Sequence, residues 1–326
     1  MRRGETMSGG PVTDDGSAGS DTPQDRWLGS TVVACVVGVS FAPIIIRSSH
    51  LPALGLAFWR NAVGAVILLA VARVRNPGWF RACNARQRGG MVIAGAFLGG
   101  HFAAWTASLE HTTVANSLAI LSMQPALVVV AAWIVLGERP RGTAWLPVVL
   151  SIAGALVVGG ADLSGATDRV YGNCLAGLGA LAGAAYFVSG RRFRRELPVV
   201  PYAAGVFSVA ALELLVLCGA TRTDLAYDVH GYLWIGALVV AGQLLGHTIF
   251  NLLLGRLPAW AVAVTAMGET IGATTLAWVI LGEPPTTAFW WGMPLVAVAV
   301  AWAVALASRG QRPPLTSRIE PVTYEA

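Results

Sequence analysis

The sequence predicts an all-α integral membrane protein with ten transmembrane helices, arranged as two five-helix repeats of inverted topology. The chain of 326 residues is 55% hydrophobic and only 12% charged, whereas a soluble protein is about 25% charged. Apolar segments long enough to cross a bilayer recur along the whole chain. A motif of the second half also repeats one of the first half at a fixed offset, which indicates an internal duplication.

Ten segments have the length and apolar character of a membrane helix. Most gaps between them are only a few residues, so consecutive helices are expected to be antiparallel neighbours. The segments are residues 28–46, 52–72, 91–109, 113–136, 143–160, 172–190, 202–220, 231–253, 258–281 and 288–307.

The duplication is clearest where two of these helices end in Leu-Gly-Glu. Gln124–Glu138 reads QPALVVVAAWIVLGE, and Met267–Glu283 reads MGETIGATTLAWVILGE. The shift of 145 residues from Glu138 to Glu283 aligns further pairs. They are Ala132 with Ala277, Trp133 with Trp278, Pro140 with Pro285, Trp145 with Trp290, and more faintly Arg47 with Arg192.

Arginine placement predicts that both termini are cytoplasmic. The basic residues are all arginines, and connecting loops hold 12 of them on one predicted side against 3 on the other, which is the positive-inside pattern. We therefore predict a disordered cytoplasmic tail over 1–26, a first repeat over 27–160, a second over 172–307 and a cytoplasmic tail over 308–326. Because each repeat has five helices, the second enters the membrane from the opposite side, an arrangement typical of secondary transporters.

Several function classes lack their sequence signals. The arginines lie in short loops, which indicates membrane orientation and no nucleic-acid partner. The four cysteines show no metal-ligand spacing, so neither a metal site nor a cofactor is expected. No GxxxxGK[ST], HExxH or GxSxG motif is present, and we expect no catalytic residues and no enzyme activity.

Small residues are expected to bring the helices close together. GAFLGG at Gly95–Gly100 and GLGALAG at Gly177–Gly183 present glycine at the spacing that allows backbones to touch. The alternative is that these glycines line a pathway with bare backbone.

The motifs of both halves resemble those of the drug/metabolite transporter superfamily, in particular its ten-helix EamA-type members. The resemblance covers roughly residues 28–307 and implies that fold and a transport function for small molecules of very varied chemistry. At one position the family usually has Glu-Pro where this chain has Glu269-Thr270, so the expected helix break with free carbonyls should be absent there. The motifs are Pro125 followed by WIVLGE, GHTIFN at Gly246–Asn251, GETIGATTLAWVILGE, and WTASLEHTTVANS at Trp105–Ser117.

Glu269 and its repeat equivalent Gln124 are predicted to lie near the bilayer midplane. An ionisable group there costs at least about 2.5–3.5 kcal/mol, which makes a functional role the default expectation. Two related hydrogen-bonding side chains at the centre of an inverted repeat mark a substrate site. The alternative is that a protonated Glu269 simply bonds a neighbouring helix.

Two further charges lie inside predicted helices. Arg60 is about 12 Å from the outer end of its helix, at 1.5 Å per residue; it can snorkel outward, or it can pair with Glu269 or an anionic substrate. Glu213 lies in the middle of the seventh helix, where proton coupling and a structural pair remain open alternatives.

Two histidines, one asparagine and two aromatic residues complete the candidate site. His101 and His247 can carry a coupling proton near neutral pH, or they can be packing residues with satisfied hydrogen bonds. Asn251 lies on the helix of His247. Trp105 and Tyr186 either line the cavity or pack.

Glu138 and Glu283 are predicted to end equivalent helices on opposite faces of the membrane. A carboxylate is disfavoured by the dipole at a helix C-terminus, so each should have a specific partner, with Arg139 and Arg141 near the first. Our hypothesis is that the two acids close two gates in turn. Interfacial solvation with ordinary capping is the alternative.

These observations favour a secondary transporter of the plasma membrane, an exporter of a small metabolite such as an amino acid or a related polar or drug-like compound. Its expected partners are that small molecule and the lipid bilayer. Proton coupling through Glu269 and uniport both fit the sequence. A non-transporting membrane scaffold or sensor, and a membrane-embedded enzyme, are the rival functions.

Overall fold

The structure is a computed structural model that describes residues 23–138, 140, 142–159, 167–194, 197–285 and 287–309. Regular structure in these segments is entirely helical. Nine helices are long and apolar enough to cross a membrane, and a shorter apolar helix covers Gly142–Val157. The ten helices are α1 Pro23–Ser49, α2 Ala53–Arg75, α3 Ala85–His111, α4 Val114–Leu136, α5 Trp145–Gly159, α6 Thr167–Phe193, α7 Val199–Thr221, α8 Val229–Leu254, α9 Ala259–Leu281 and α10 Thr287–Arg309.

The ten helices confirm the ten predicted segments, with differences at their ends. Helix α1 begins at Pro23, inside the stretch predicted as a tail, and α6 begins at Thr167, before the predicted residue 172. Residues 1–22 and 310–326, which hold the rest of both predicted tails, lie outside the described residues.

Helix packing follows the duplication. Helix α3 packs along α6, and its counterpart α8 packs along α1; likewise α4 packs on α6 as α9 packs on α1. The pairs α2 with α7, α5 with α10 and α4 with α9 join equivalent helices of the two repeats. Each of these helix contacts made by one repeat therefore has an equivalent contact made by the other repeat. Since each repeat has five helices, the two run through the membrane in opposite senses.

Helices α4 and α9 both break in mid-membrane, at equivalent positions. The regular helix of α4 is interrupted at Ser122–Met123, before Pro125, and that of α9 is interrupted at Met267. The expectation that the missing proline would remove the second break was wrong. The Met267 N–H bonds the Val264 carbonyl at 3.0 Å, so a tight turn of 3₁₀ spacing forms without any proline.

Wide turns interrupt the two second-repeat helices nearest the centre. Helix α8 is a π-helix over Val239–His247, and α9 is one over Ala277–Leu281. Such turns are rare and occur mostly at functional sites. The first places Gln243 and His247 on the inner side of α8, where both are buried.

Glycines allow the close helix contacts, as the packing interpretation expects. A Cβ atom added to Gly95 of α3 would lie 2.8 Å from the Val206 carbonyl of α7. One added to Gly179 of α6 would lie 3.0 Å from the Trp105 Cβ and 3.3 Å from its Cα. Gly177, one half-turn away on α6, has open space around it.

We predict opposite effects for one substitution at these two glycines. Gly179→Ala should lower the free energy of unfolding by about 1–3 kcal/mol, because α6 has to move away from the α3 backbone. Gly177→Ala should leave it unchanged or raise it by about 0.5–1 kcal/mol through helix propensity. Unfolding of the purified protein in detergent measures both; equal effects would contradict the packing described here.

Candidate functional site

A narrow cavity lies where the two repeats meet. Its free volume is about 30 Å³, room for only one or two water molecules. Helices α1 to α4 of the first repeat and α6, α8 and α9 of the second all contribute to its walls. The lining residues are Val39, Ala42, Arg60, His101, Trp105, Leu121, Gln124, Gly183, Tyr186, Phe187, His247, Phe250, Ala266 and Glu269.

Repeat-equivalent positions face each other across this cavity. Gln124 and Glu269 both line it, and each directly follows the mid-membrane break of its helix. Leu121 and Ala266, on the other side of the breaks, also share the 145-residue offset. The cavity therefore lies at the pseudo-twofold axis that relates the two repeats. Inverted-repeat transporters bind their substrates at this place.

Arg60 is buried, and hydrogen bonds satisfy only part of its guanidinium group. Its side chain is 1% exposed, so it does not snorkel to the surface. Its Nε donates to the Gln243 Oε1 at 3.0 Å, and the Gln243 amide donates in turn to the Asn61 Oδ1 at 2.9 Å. The guanidinium lies 4.0 Å from the centre of the Phe102 ring, and Nη1 has no hydrogen-bond partner among the described residues.

Glu269 reaches the same cavity from the other repeat. It is partly exposed, in contrast to Arg60, and no ion pair within the described residues joins the two side chains. The Arg60 guanidinium, with its unpaired Nη1, and the Glu269 carboxyl group therefore line a shared cavity from α2 and α9. This geometry leaves the Arg60 Nη1 and the Glu269 carboxyl group available to a bound molecule.

The two histidines have different surroundings. The His101 Nδ1 is 2.8 Å from the Gly179 carbonyl, so this nitrogen carries a proton and donates. Its ring stacks on Trp105 with centroids 5.9 Å apart. His247 packs edge-on against Phe102, and its Nδ1 has no partner among the described residues. His101 is thus anchored, whereas His247 offers an unpaired nitrogen.

Of the nine predicted binding or coupling residues, Asn251 and Glu213 do not line the cavity. Asn251 is fully buried and accepts a hydrogen bond of 2.7 Å from the Tyr186 hydroxyl, so it orients a lining residue. Glu213 faces Gly99 of α3 from α7. Gln243, which the sequence analysis did not single out, has the direct contact with Arg60.

Both helix-end acids form ion pairs with the opposite repeat. Glu138, at the end of α4, accepts from the Arg191 Nε of α6 at 2.9 Å. Glu283, at the end of α9, accepts from the Arg47 Nη2 of α1 at 2.9 Å. A specific partner was predicted for each acid; Arg139 and Arg141, the candidates for Glu138, lie outside the described residues.

The two ion pairs are built alike. Arg47 also donates to the Leu109 carbonyl at the end of α3, and Arg191 to the Leu254 carbonyl at the end of α8. Leu109 and Leu254 are again 145 residues apart. The sequence signal for this arrangement was the alignment of Arg47 with Arg192, which misses Arg191 by one residue.

Within the described residues, no group of three or more histidine, cysteine, aspartate or glutamate side chains is placed to hold a metal ion. The four cysteines form no disulfide.

Comparison with known proteins agrees with this architecture. The family model described as the EamA-like transporter family matches residues 27–160 and again 170–305. A solved structure, titled only "Crystal structure of protein", superimposes with a TM-score of 0.69 at 21% identity, covering 88% of this chain and 99% of the other. No curated protein sequence matches.

The ten apolar helices define a multi-pass membrane protein, and the match to two EamA repeats places it in the drug/metabolite transporter superfamily. Because the family model covers both halves, the chain belongs to the EamA-like transporter family, with one repeat of that family in each half.

We predict that Arg60→Met leaves the midpoint of thermal unfolding unchanged or raises it. A buried charge with an unsatisfied N–H is costly, and an apolar side chain of similar length is often tolerated as well or better. Unfolding in detergent provides the measurement. A fall of more than about 5 °C, roughly 1–2 kcal/mol for a chain of this size, would show that Arg60 is there for stability.

Proposed function

We propose that this protein is a secondary transporter that exports a small metabolite, such as an amino acid or a related polar or drug-like compound, across the plasma membrane. The supporting observation is the cavity between the repeats, which receives a buried cation from one repeat and a carboxylate from the other. Ionisable groups inside a membrane are costly when no ion pair joins them, and binding of a charged solute offsets that cost.

The walls of the cavity favour a solute with both charged and apolar parts. Arg60 supplies N–H donors for an acidic group, and Glu269 supplies an acceptor for a basic group. Aromatic rings of Trp105, Phe187 and Phe250 line the remainder. A cavity of about 30 Å³ cannot hold a metabolite, so binding requires the helices around it to move apart.

The two cross-repeat ion pairs are the proposed gates. We call Arg47 with Glu283 the outer latch and Arg191 with Glu138 the inner latch, following the predicted orientation. Each latch ties the end of α4 or α9 to a helix of the other repeat, so separating the repeats on one face breaks one latch and leaves the other intact. Alternate rupture of the two exposes the cavity to one side at a time.

Glu269 is the proposed site of proton coupling, with uniport as the alternative. A carboxylate that lines the cavity at the break of α9 can exchange a proton with whichever side is open. A solute with a basic group then competes with the proton for the same oxygen atoms.

Flux into and out of proteoliposomes tests the function. Movement of labelled amino acids and related metabolites without chemical change is expected; product formation would support an enzyme, and neither result would support a scaffold or sensor. Gly183→Ala should reduce flux at least about tenfold, since its Cβ would lie 2.8 Å from the His101 Nδ1 and 3.0 Å from the Gln124 Nε2. Gly177→Ala on the same helix is the matched control.

The same proteoliposomes test the coupling residue. Glu269→Gln should abolish the dependence of net flux on a pH gradient and leave passive exchange in place for a substrate without a basic group. Unchanged dependence on the gradient would refute coupling through this carboxylate without refuting transport.

Opposite conformational shifts are expected from the two latches. Arg47→Gln should make a cysteine introduced at Ala266 more reactive toward an impermeant thiol reagent added outside, and Arg191→Gln should make it less so, each by roughly five- to tenfold for about 1 kcal/mol of lost pairing. Arg192→Gln, next to Arg191 but outside both latches, is the control. Equal shifts in the same direction would contradict the gate assignment.

A further inference from the structure

A second and larger cavity lies away from the central site, where α2, α3 and α7 meet the short helical turn Trp79–Ala82. Its volume is about 830 Å³, far more than a few waters require. We call it the interfacial groove. None of the residues that line the central cavity borders it.

The chemistry of the interfacial groove changes from one end to the other. Arg73 of α2, Arg81 of the short turn and Arg88 of α3 line its basic end. Leu69 and Val209 contribute to its apolar wall on α2 and α7. The whole connection from residue 73 to residue 90 contains five arginines and no acidic residue.

The basic end is held in place at the membrane boundary. The Arg88 Nη2 donates to the Phe80 carbonyl at 3.1 Å, and its guanidinium lies 4.9 Å from the centre of the Phe80 ring. Trp79 and Phe80 on this turn have the aromatic character typical of the interface between lipid and water. Arg73 and Arg81 are exposed toward the groove.

The positive-inside pattern alone explains arginines in this loop, but it does not explain their place beside an apolar groove. Arginine guanidinium groups match phosphate oxygens in geometry and charge. The leaflet that faces the cytoplasm, where this loop is predicted to lie, is rich in anionic lipids. The three arginines complement a phosphate group. The apolar wall, which continues from them toward the membrane, complements an acyl chain joined to that phosphate.

We propose that the interfacial groove binds one anionic glycerophospholipid. Its phosphodiester pairs with Arg73, Arg81 and Arg88, and one acyl chain lies along the wall formed by Leu69 and Val209. The site is distinct from the transport cavity, and its occupancy is independent of which solute is carried. A bound lipid there fills the groove between α2, α3 and α7.

Native mass spectrometry of the full-length protein with phosphatidylglycerol or phosphatidylcholine of matched acyl chains tests the proposal. The expected result is one retained phosphatidylglycerol, bound at least about tenfold more tightly than phosphatidylcholine. Arg73→Gln with Arg81→Gln should weaken phosphatidylglycerol binding roughly 30-fold, as removal of two arginines at an anionic surface implies. Arg75→Gln with Arg86→Gln removes the same charge from the same loop without touching the groove, and should weaken binding less than about threefold.

Two further experiments distinguish binding of a lipid from binding of a soluble phosphate compound. Ser208→Trp fills the groove from α7 and should reduce phosphatidylglycerol binding at least about fivefold, whereas Leu212→Trp, one turn further on the lipid-exposed face, should not. Glycerol 3-phosphate should not displace the lipid at equal concentration.

The proposal is overturned if both arginine pairs weaken binding equally, since that would show only general attraction to a basic face. It is also overturned if glycerol 3-phosphate competes as well as the lipid, or if Ser208→Trp has no effect. Thermal unfolding of each variant verifies that a lost lipid does not reflect a lost fold.

Discussion

Arg60 and Glu269 reach one cavity from different repeats, inside a membrane, without pairing with each other. Ionisable groups in that environment are expensive, and the surrounding structure is arranged to hold them. Gln243 and the Phe102 ring support the guanidinium, and the break of α9 at Met267 precedes the carboxylate. In the proposed function, a substrate with complementary charges completes this arrangement and offsets the cost of burial.

The duplication places this site and, in the proposed mechanism, also controls access to it. Each repeat supplies one broken helix, one helix-end acid and one arginine that reaches across to the other repeat. Because the repeats are inverted, the two resulting ion pairs lie on opposite faces while the two breaks meet in the middle. The ion pairs differ in exposure: the Arg191 side chain is 5% exposed and the Arg47 side chain 33%. The more deeply buried pair is screened less by solvent, so the two gates need not have equal strength.

The sequence predicted the helices, the duplication and seven of the fourteen residues that line the cavity, because each leaves a signal in one dimension. Apolar length predicts a membrane helix, and a 145-residue offset aligns Gln124 with Glu269. The rest depended on three-dimensional packing. Nothing local distinguishes the π-helical turns of α8, so Gln243 was missed, and Glu213 was included although it faces α3. The break at Met267 forms without a proline. Packing at the repeat interface can stabilise a tight turn that the local sequence does not predict.

Distances between spin labels in lipid bilayers test the central claim most directly. One sample carries labels beside Arg47 and Glu283, and a second carries labels beside Arg191 and Glu138. The alternating account predicts two populations of label distances in each sample. When substrate or pH shifts the equilibrium, the distance at one face should lengthen while the distance at the other face is short. Simultaneous lengthening at both faces, or fixed distances at both under every condition, would contradict it.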